Sequence, residues 1–142
     1  MVALLAAGAM WGTSRLAPSV ELPQSLRMAA AIASALAGVG LSIAGVVSFR
    51  FAKTTVNPMK PEKTSALVCS GVYRLTRNPM YLGLALVLVA WAVFLSSAWA
   101  LLGPLAFVLY MNRFQIAPEE RALASMFGVP YAAYRSRVRR WM

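Results

Sequence analysis

The chain has 142 residues, 60% of them hydrophobic, and its 14 Lys and Arg residues against four acidic residues give a formal net charge of +10. This apolar content exceeds that of ordinary globular domains and favours a membrane protein. The single Cys69 excludes an internal disulfide, and the absence of His argues against metal centres and His-based catalysis.

Four apolar blocks predict an all-α, polytopic membrane protein. We expect one domain with about four transmembrane helices, over residues 1–15, 28–49, 80–95 and 98–112. The first block is expected to be retained rather than cleaved as a signal, because its first positive residue, Arg15, follows the apolar run. Only block 28–49 reaches the roughly 20 residues that a spanning helix needs. Its many Ala and Gly residues predict close, central helix packing.

The middle segment, residues 50–79, is predicted to be a loop. Within it, Pro58 and Pro61 interrupt residues 54–61, and each Pro blocks helix continuation and restrains the residue before it. An extended conformation is therefore expected there.

Residues 80–111 form an almost unbroken apolar run that must bend back on itself. As one helix it would be about 48 Å long, whereas the bilayer core is roughly 30 Å thick. Ser96 and Ser97 are the preferred position for a tight turn, and Gly103-Pro104 is the alternative.

The tail, residues 113–142, is predicted to form short interfacial helices. Pro118 with Glu119 and Glu120 is a favourable helix start, because carboxylates complement the positive end of a helix dipole. Gly128 is expected to end one helix and Pro130 to open the next.

The basic residues predict the orientation. Twelve of the fourteen lie in the middle loop and the tail, and only Arg15 and Arg27 lie between the first two blocks. The positive-inside bias therefore places the loop and the C-terminus in the cytoplasm, which predicts a multi-pass inner-membrane protein. Because the basic residues flank apolar runs, they favour contact with the lipid bilayer rather than with nucleic acid.

Two segments are dense in side chains that can bind ligands. The segment from Gly71 to Gly83 contains Arg-Asn-Pro-Met-Tyr-Leu-Gly, and the second contains Pro118-Glu119-Glu120 followed by Phe127-Gly128. In order and spacing they are similar to the isoprenylcysteine carboxyl methyltransferases and the related phospholipid methyltransferases, over about residues 58–141. The resemblance implies a small membrane enzyme that uses S-adenosylmethionine, bound in a cytoplasm-facing pocket. It also implies a substrate that is lipid-like or delivered from the bilayer.

The resemblance further implies which residues surround the cofactor. This chain has Asn78 where the family often has His, and Pro130 where an acidic residue is frequent. Asn carries no proton at neutral pH, so no acid–base role is expected at that position. By position in the motifs, the cofactor-binding residues are expected to be Tyr73, Arg77, Asn78, Pro79, Tyr81, Leu82, Gly83, Glu119 and Glu120, with Tyr131, Tyr134, Arg137 and Val138 in the closing segment.

Glu120 and Arg137 are the expected catalytic residues, and no metal is expected. Methyl transfer from a sulfonium is an in-line displacement that depends mainly on holding the reactants in near-attack geometry. If the acceptor is a carboxylate, Arg137 is suited to orient it; if it is an amine, Glu120 is suited to hold or deprotonate it. The residues leave both alternatives open.

Two other functions compete with methyl transfer. A small transporter would normally need an ionisable group within the membrane, and the predicted spans contain none between their ends. A non-catalytic scaffold would use the basic tail as its interaction surface and would tolerate substitution of Asn78, Glu119 and Glu120.

Overall fold

The computed structural model describes residues 1–16, 18–51 and 67–142, and every regular element in these ranges is helical. The predicted all-α class is therefore confirmed. The α-helices are α1 (Val2–Ser14), α2 (Gln24–Phe51), α3 (Pro79–Leu95), α4 (Leu102–Tyr110), α5 (Ala117–Phe127) and α6 (Val129–Arg137). Two 3₁₀ turns, Gly71–Arg74 and Ala98–Leu101, and one π-helical segment, Met111–Ile116, complete the order.

Two helical stretches are long and apolar enough to cross a membrane, judged by length and composition. They are Gln24–Phe51, with 28 residues, and Ala98–Phe127, with 30 residues. Helices Val2–Ser14 and Pro79–Leu95 are apolar but shorter. Two stretches of the described residues therefore qualify as candidate spans, and the four-span topology stays a prediction.

The predicted turn at Ser96-Ser97 is confirmed. Helix α3 ends at Leu95, and Ser96 takes a positive φ of 52°. The alternative break at Gly103-Pro104 does not occur, because Pro104 lies in the first turn of α4, where a missing N–H is tolerated. The predicted extended loop at residues 54–61 lies outside the described residues.

The structure divides into two compact units, and the first contains residues 1–40 and 83–111. In this unit α1 packs against α4, and the indole N–H of Trp91 donates to the carbonyl of Ala7 at 3.1 Å. Ser96 exchanges two hydrogen bonds with the backbone of Val20, at 2.6 and 2.7 Å. A cavity of about 510 Å³ is lined by Ala6, Ala9, Met10, Thr13, Leu16, Trp99, Leu102, Gly103 and Ala106. Its lining is almost entirely apolar.

The expectation that α2 packs centrally is wrong. Only Ala31, Gly38 and Gly45, seven residues apart, are buried, whereas large apolar side chains such as Leu36 and Ile43 are exposed. In the first unit, a Cβ on Gly38 would meet the carbonyl oxygen of Gly83. The helix therefore uses its small residues on one narrow face and leaves the rest of its surface available to lipid.

The second unit contains residues 41–82 and 112–142. Gly128, with φ of 51°, separates α5 from α6, which confirms the predicted helix end and restart. Pro118 does not start a separate helix, because the helical run continues through the π-helical segment into α5. The wider turn before Pro118 accommodates a residue that lacks an N–H. Glu119 and Glu120 consequently lie inside a continuous helix rather than at a free N-terminus.

Candidate functional site

The polypeptide before α3 is shaped by its small and cyclic residues. Gly71 has φ of 59° and approaches Ser48 so closely that a Cβ would lie 2.8 Å from its Oγ. Tyr73 is buried, with its ring edge-on to Phe49 at 5.3 Å between centroids. The hydroxyl of Thr76 accepts a hydrogen bond from the backbone N–H of Asn78 at 3.2 Å, immediately before α3 begins. These contacts hold Arg77 and Asn78 in a defined, non-helical conformation.

Two guanidinium groups surround the carboxylate of Glu120. Arg140 donates from Nε to Oε1 at 3.1 Å and from Nη2 to Oε2 at 2.6 Å. Arg77 places Nη1 3.1 Å from Oε1. The side chains of Arg77 and Glu120 are only 11% and 10% exposed, whereas that of Arg140 is 33% exposed. The hydrogen bonds to Glu120 raise the pKa of Arg140.

The cluster of Arg77, Glu120 and Arg140 carries one more positive than negative charge. Although Arg77 pairs electrostatically with Glu120, its buried Nε and Nη1 donate no hydrogen bond within the described residues. A buried guanidinium with unused donors is costly, because the desolvated N–H groups are left without acceptors. The cluster therefore presents donors suited to an additional anionic group.

The C-terminal segment after α6, residues 138–142, closes on this cluster. The carbonyl of Arg139 accepts a bond from the backbone N–H of Arg77 at 3.0 Å. The carbonyl of Arg140 accepts bonds from Oγ1 of Thr76 at 3.2 Å and Nδ2 of Asn78 at 2.9 Å. We call this segment the clasp. The side chain of Asn78 is thereby committed to a backbone partner.

Glu119 has a different environment from Glu120. Its Oε1 accepts hydrogen bonds from the hydroxyl of Tyr81 at 2.7 Å and from Nε2 of Gln115 at 2.6 Å. Both donors are neutral. Neither partner supplies a positive charge to this carboxylate, whereas Glu120 is paired with two guanidiniums.

Two tyrosines of α6 pack into the same unit. Tyr131 and Tyr134 are buried, with ring centroids 6.4 Å apart, and the hydroxyl of Tyr134 donates to the carbonyl of Tyr73 at 2.7 Å. Burial raises the pKa of both phenols; nearby Glu120 adds to the effect on Tyr131, and Arg77 opposes it. Both tyrosines therefore stay neutral at physiological pH and act as packing and hydrogen-bonding groups.

Most residues expected at the cofactor lie in this second unit. Arg77 contacts Glu120, Tyr81 contacts Glu119, and Asn78 contacts the clasp. Tyr73, Pro79 and Leu82 are buried. Gly83 belongs to the first unit, where its carbonyl oxygen faces Gly38, and the missing Cβ of Gly38 permits this close approach.

Arg137 is not brought to Glu120. Its side chain is exposed, and its Nε donates to the carbonyl of Ala133 in its own helix at 3.1 Å. The expected orienting role of Arg137 toward an acceptor stays a prediction. The position beside the carboxylate belongs to Arg140, because α6 ends at Arg137 and the extended Val138 redirects the chain.

Three further residues contact this site and were not predicted from the motifs: Asn112, Gln115 and Thr76. Asn112 accepts bonds from the indole N–H of Trp141 at 3.0 Å and from Nη1 of Arg140 at 3.5 Å. One signal was available for Asn112 and Gln115, since they are amides at the end of a long apolar run. No signal distinguished Arg140 from its basic neighbours. Among the described residues, no group of three or more Cys, Asp or Glu is placed to hold a metal ion.

The chain matches a known protein family. A family model described as phospholipid methyltransferase matches residues 26–129, more than half of the chain. The chain belongs to the phospholipid methyltransferase family. Its members are methyltransferases, and membership together with the two long apolar helices indicates a membrane methyltransferase.

One relative of this chain comes from Haemophilus influenzae. It is 49% identical over 63 residues, which is all of that protein and 44% of this chain, and it is named only as an uncharacterized protein. No solved structure matches the chain significantly.

Proposed function

We propose that this protein transfers a methyl group from S-adenosylmethionine to a lipid-like or membrane-delivered acceptor. The observation that carries the proposal is the pairing of the two motif segments: Arg77 with Glu120, and Tyr81 with Glu119, in one compact unit. Family membership supports the reaction class. The cofactor and the acceptor belong to the proposal.

The residues present fit S-adenosylmethionine. The cofactor carries a carboxylate, an ammonium, a sulfonium and ribose hydroxyls. The unused buried N–H groups of Arg77 are suited to the carboxylate, because a guanidinium pairs with carboxylate oxygens through directional bonds. Glu119, whose described partners are neutral, is suited to an ammonium.

When bound, the cofactor would supply a methyl group attached to a positively charged sulfur. The neutral thioether that remains after transfer is a good leaving group. The protein must then orient the reactants and exclude water, and burial of Arg77 and Glu120 serves both tasks. Tyr81 and Gln115 hold one oxygen of Glu119 in place by hydrogen bonds. No metal or nucleophilic side chain is required for this displacement.

Glu119 is a better candidate than Glu120 to take up a proton or an ammonium from an amine acceptor. The carboxylate of Glu120 is already paired with the two guanidinium groups of Arg77 and Arg140, so it has little capacity left for another cation. Glu119 has no such cation among its hydrogen-bond partners. We therefore assign Glu120 to organising the arginines and Glu119 to the cationic group. If the acceptor is a carboxylate instead, Arg137 remains the exposed arginine of α6 suited to meet it.

We propose that the site lies on the cytoplasmic side of an inner membrane. Twelve of the fourteen basic residues lie in the middle loop and the tail, and the positive-inside bias favours this orientation. S-adenosylmethionine is a cytoplasmic metabolite, so the site needs the same orientation.

Calorimetry with S-adenosylhomocysteine on detergent-purified protein tests cofactor binding, and we expect one saturable site. Transfer of labelled methyl from S-adenosylmethionine to extracted membrane lipids then tests the reaction. Arg135 is exposed, so the Arg135→Gln variant is a matched control for the loss of one positive charge from the tail. It should bind S-adenosylhomocysteine with the wild-type affinity. Absence of saturable binding by folded protein contradicts the proposal, and proton-driven solute uptake in vesicles would favour a transporter.

A further inference from the structure

The clasp contains one side chain that contacts Glu120 directly. The backbone carbonyls of Arg139 and Arg140 accept hydrogen bonds from residues 76–78. Because the acceptors are backbone atoms, these bonds do not depend on which side chains the clasp carries. The pairing of Arg140 with both oxygens of Glu120 depends on a guanidinium, because an ammonium cannot present two parallel N–H groups. The sequence of the clasp therefore matters at Arg140 in particular.

Arg140 and Arg77 compete for the same carboxylate. Both oxygens of Glu120 receive aligned bonds from Arg140, whereas Nη1 of Arg77 lies 3.1 Å from Oε1 without an aligned hydrogen bond. If Arg140 were absent, the carboxylate could turn toward Arg77 and accept its unused N–H groups, because a buried guanidinium gains most from a two-point pairing.

We propose that Arg140 is a positioning residue: by holding both oxygens of Glu120, it keeps this carboxylate out of line with the Nε and Nη1 donors of Arg77, which stay available to an anionic group of the ligand. This inference rests on the proposed function, in which that group is the carboxylate of the cofactor. Arg140 itself stays bound to Glu120 and does not contact the ligand.

The test measures how much the ligand's carboxylate contributes to binding. The probes are S-adenosylhomocysteine and its decarboxylated analogue, and the readout is the ratio of their dissociation constants. For the wild type we expect the analogue to bind at least about tenfold more weakly, because hydrogen bonds to charged groups are among the stronger ones in proteins. For Arg140→Gln we expect the ratio to fall toward one, because Glu120 then occupies the donors of Arg77.

Two variants make the result specific. Arg139→Gln removes a positive charge from the neighbouring position, where the side chain is exposed, and should keep the wild-type ratio. Arg140→Lys keeps the positive charge but offers Glu120 only one point of contact. Its ratio of dissociation constants should therefore lie between those of the wild type and Arg140→Gln. The double variant Glu120→Gln with Arg140→Gln removes the competing carboxylate and should recover part of the ratio. A residue that only stabilised the fold would show no such recovery.

The outcomes separate the two proposals. If the folded wild type does not bind S-adenosylhomocysteine, the proposed function fails. If the wild type binds and both Arg140→Gln and Arg140→Lys keep its ratio, the positioning role of Arg140 is overturned. If Arg140→Gln binds neither probe or does not fold, Arg140→Lys provides the test: a ratio below that of the wild type supports the positioning role, and an unchanged ratio overturns it.

Discussion

The hydroxyl of Tyr81 donates a hydrogen bond to Oε1 of Glu119 at 2.7 Å, and this contact joins the two segments that resemble the methyltransferase motifs. The residues are 38 positions apart in sequence. Glu120, the next residue, faces Arg77 and Arg140 instead. Adjacent carboxylates on one helix therefore have different partners, and different roles follow for them.

Glu119→Gln should weaken binding of S-adenosylhomocysteine by at least about tenfold, because the amide cannot pair with an ammonium as a carboxylate does. Stability should change little, since the described partners of Glu119 are neutral and Gln retains an acceptor oxygen. Calorimetry and thermal unfolding in detergent measure the two effects. Glu21→Gln, at an exposed position in the other unit, is the control. Unchanged affinity in Glu119→Gln would remove Glu119 from the cation site.

Glu120→Gln should lower the free energy of unfolding by about 3 kcal/mol, because it leaves two guanidiniums without their shared counter-charge. The figure is at the low end for a buried pair, since Arg140 is one-third exposed. Thermal unfolding of the Glu120→Gln and Glu119→Gln variants under the same conditions measures the difference in their stability. Equal stability of the two variants would show that the cluster does not stabilise the fold. Loss of activity in Glu120→Gln alone is consequently a poor test of a catalytic role.

Tyr134→Phe should loosen α6 and cost about 1–2 kcal/mol, because the buried carbonyl of Tyr73 loses its hydrogen-bond donor. Cys69 reports on this change, since it is the single thiol of the chain and lies near Tyr134 and Arg137. Burial raises the pKa of the Cys69 thiol, and proximity to Arg137 opposes this. Exposure of the thiol should therefore speed its labelling by a maleimide at fixed pH. Ser136→Ala removes a solvent-exposed side-chain hydrogen bond to the carbonyl of Ala133 within α6, and Cys69 in this variant should be labelled at the wild-type rate.

Gly38→Ala should destabilise the protein by about 1–3 kcal/mol, because the added Cβ would overlap the backbone carbonyl of Gly83. Gly40→Ala is a matched control on the same helix, where a Cβ meets no atom within 4 Å. It should be neutral or stabilising by up to about 1 kcal/mol, since Ala is the better helix former. Thermal unfolding in detergent distinguishes the two, and equal midpoints would contradict close packing at Gly38.

Features set by the local chain were predictable from the residues. The turn at Ser96-Ser97 follows from the length of the apolar run, and the separation of α5 from α6 follows from Gly128. The continuation of the helix through Pro118 was not predictable, because Pro normally starts or interrupts a helix and only the π-helical turn before it removes the conflict. The packing of α2 was not predictable either, since small residues permit close approach on any face where they occur.

The amino-acid sequence by itself determined the helical class, the main turns and the two segments that carry the methyltransferase motifs. These properties depend on apolar run length, on the backbone limits of Gly and Pro, and on residue order. Only the tertiary structure decided that Arg140 rather than Arg137 holds Glu120, and that Glu119 faces Tyr81. The arginines of the tail are chemically identical, and the end of α6 alone determines which of them reaches a carboxylate 20 residues away in the chain.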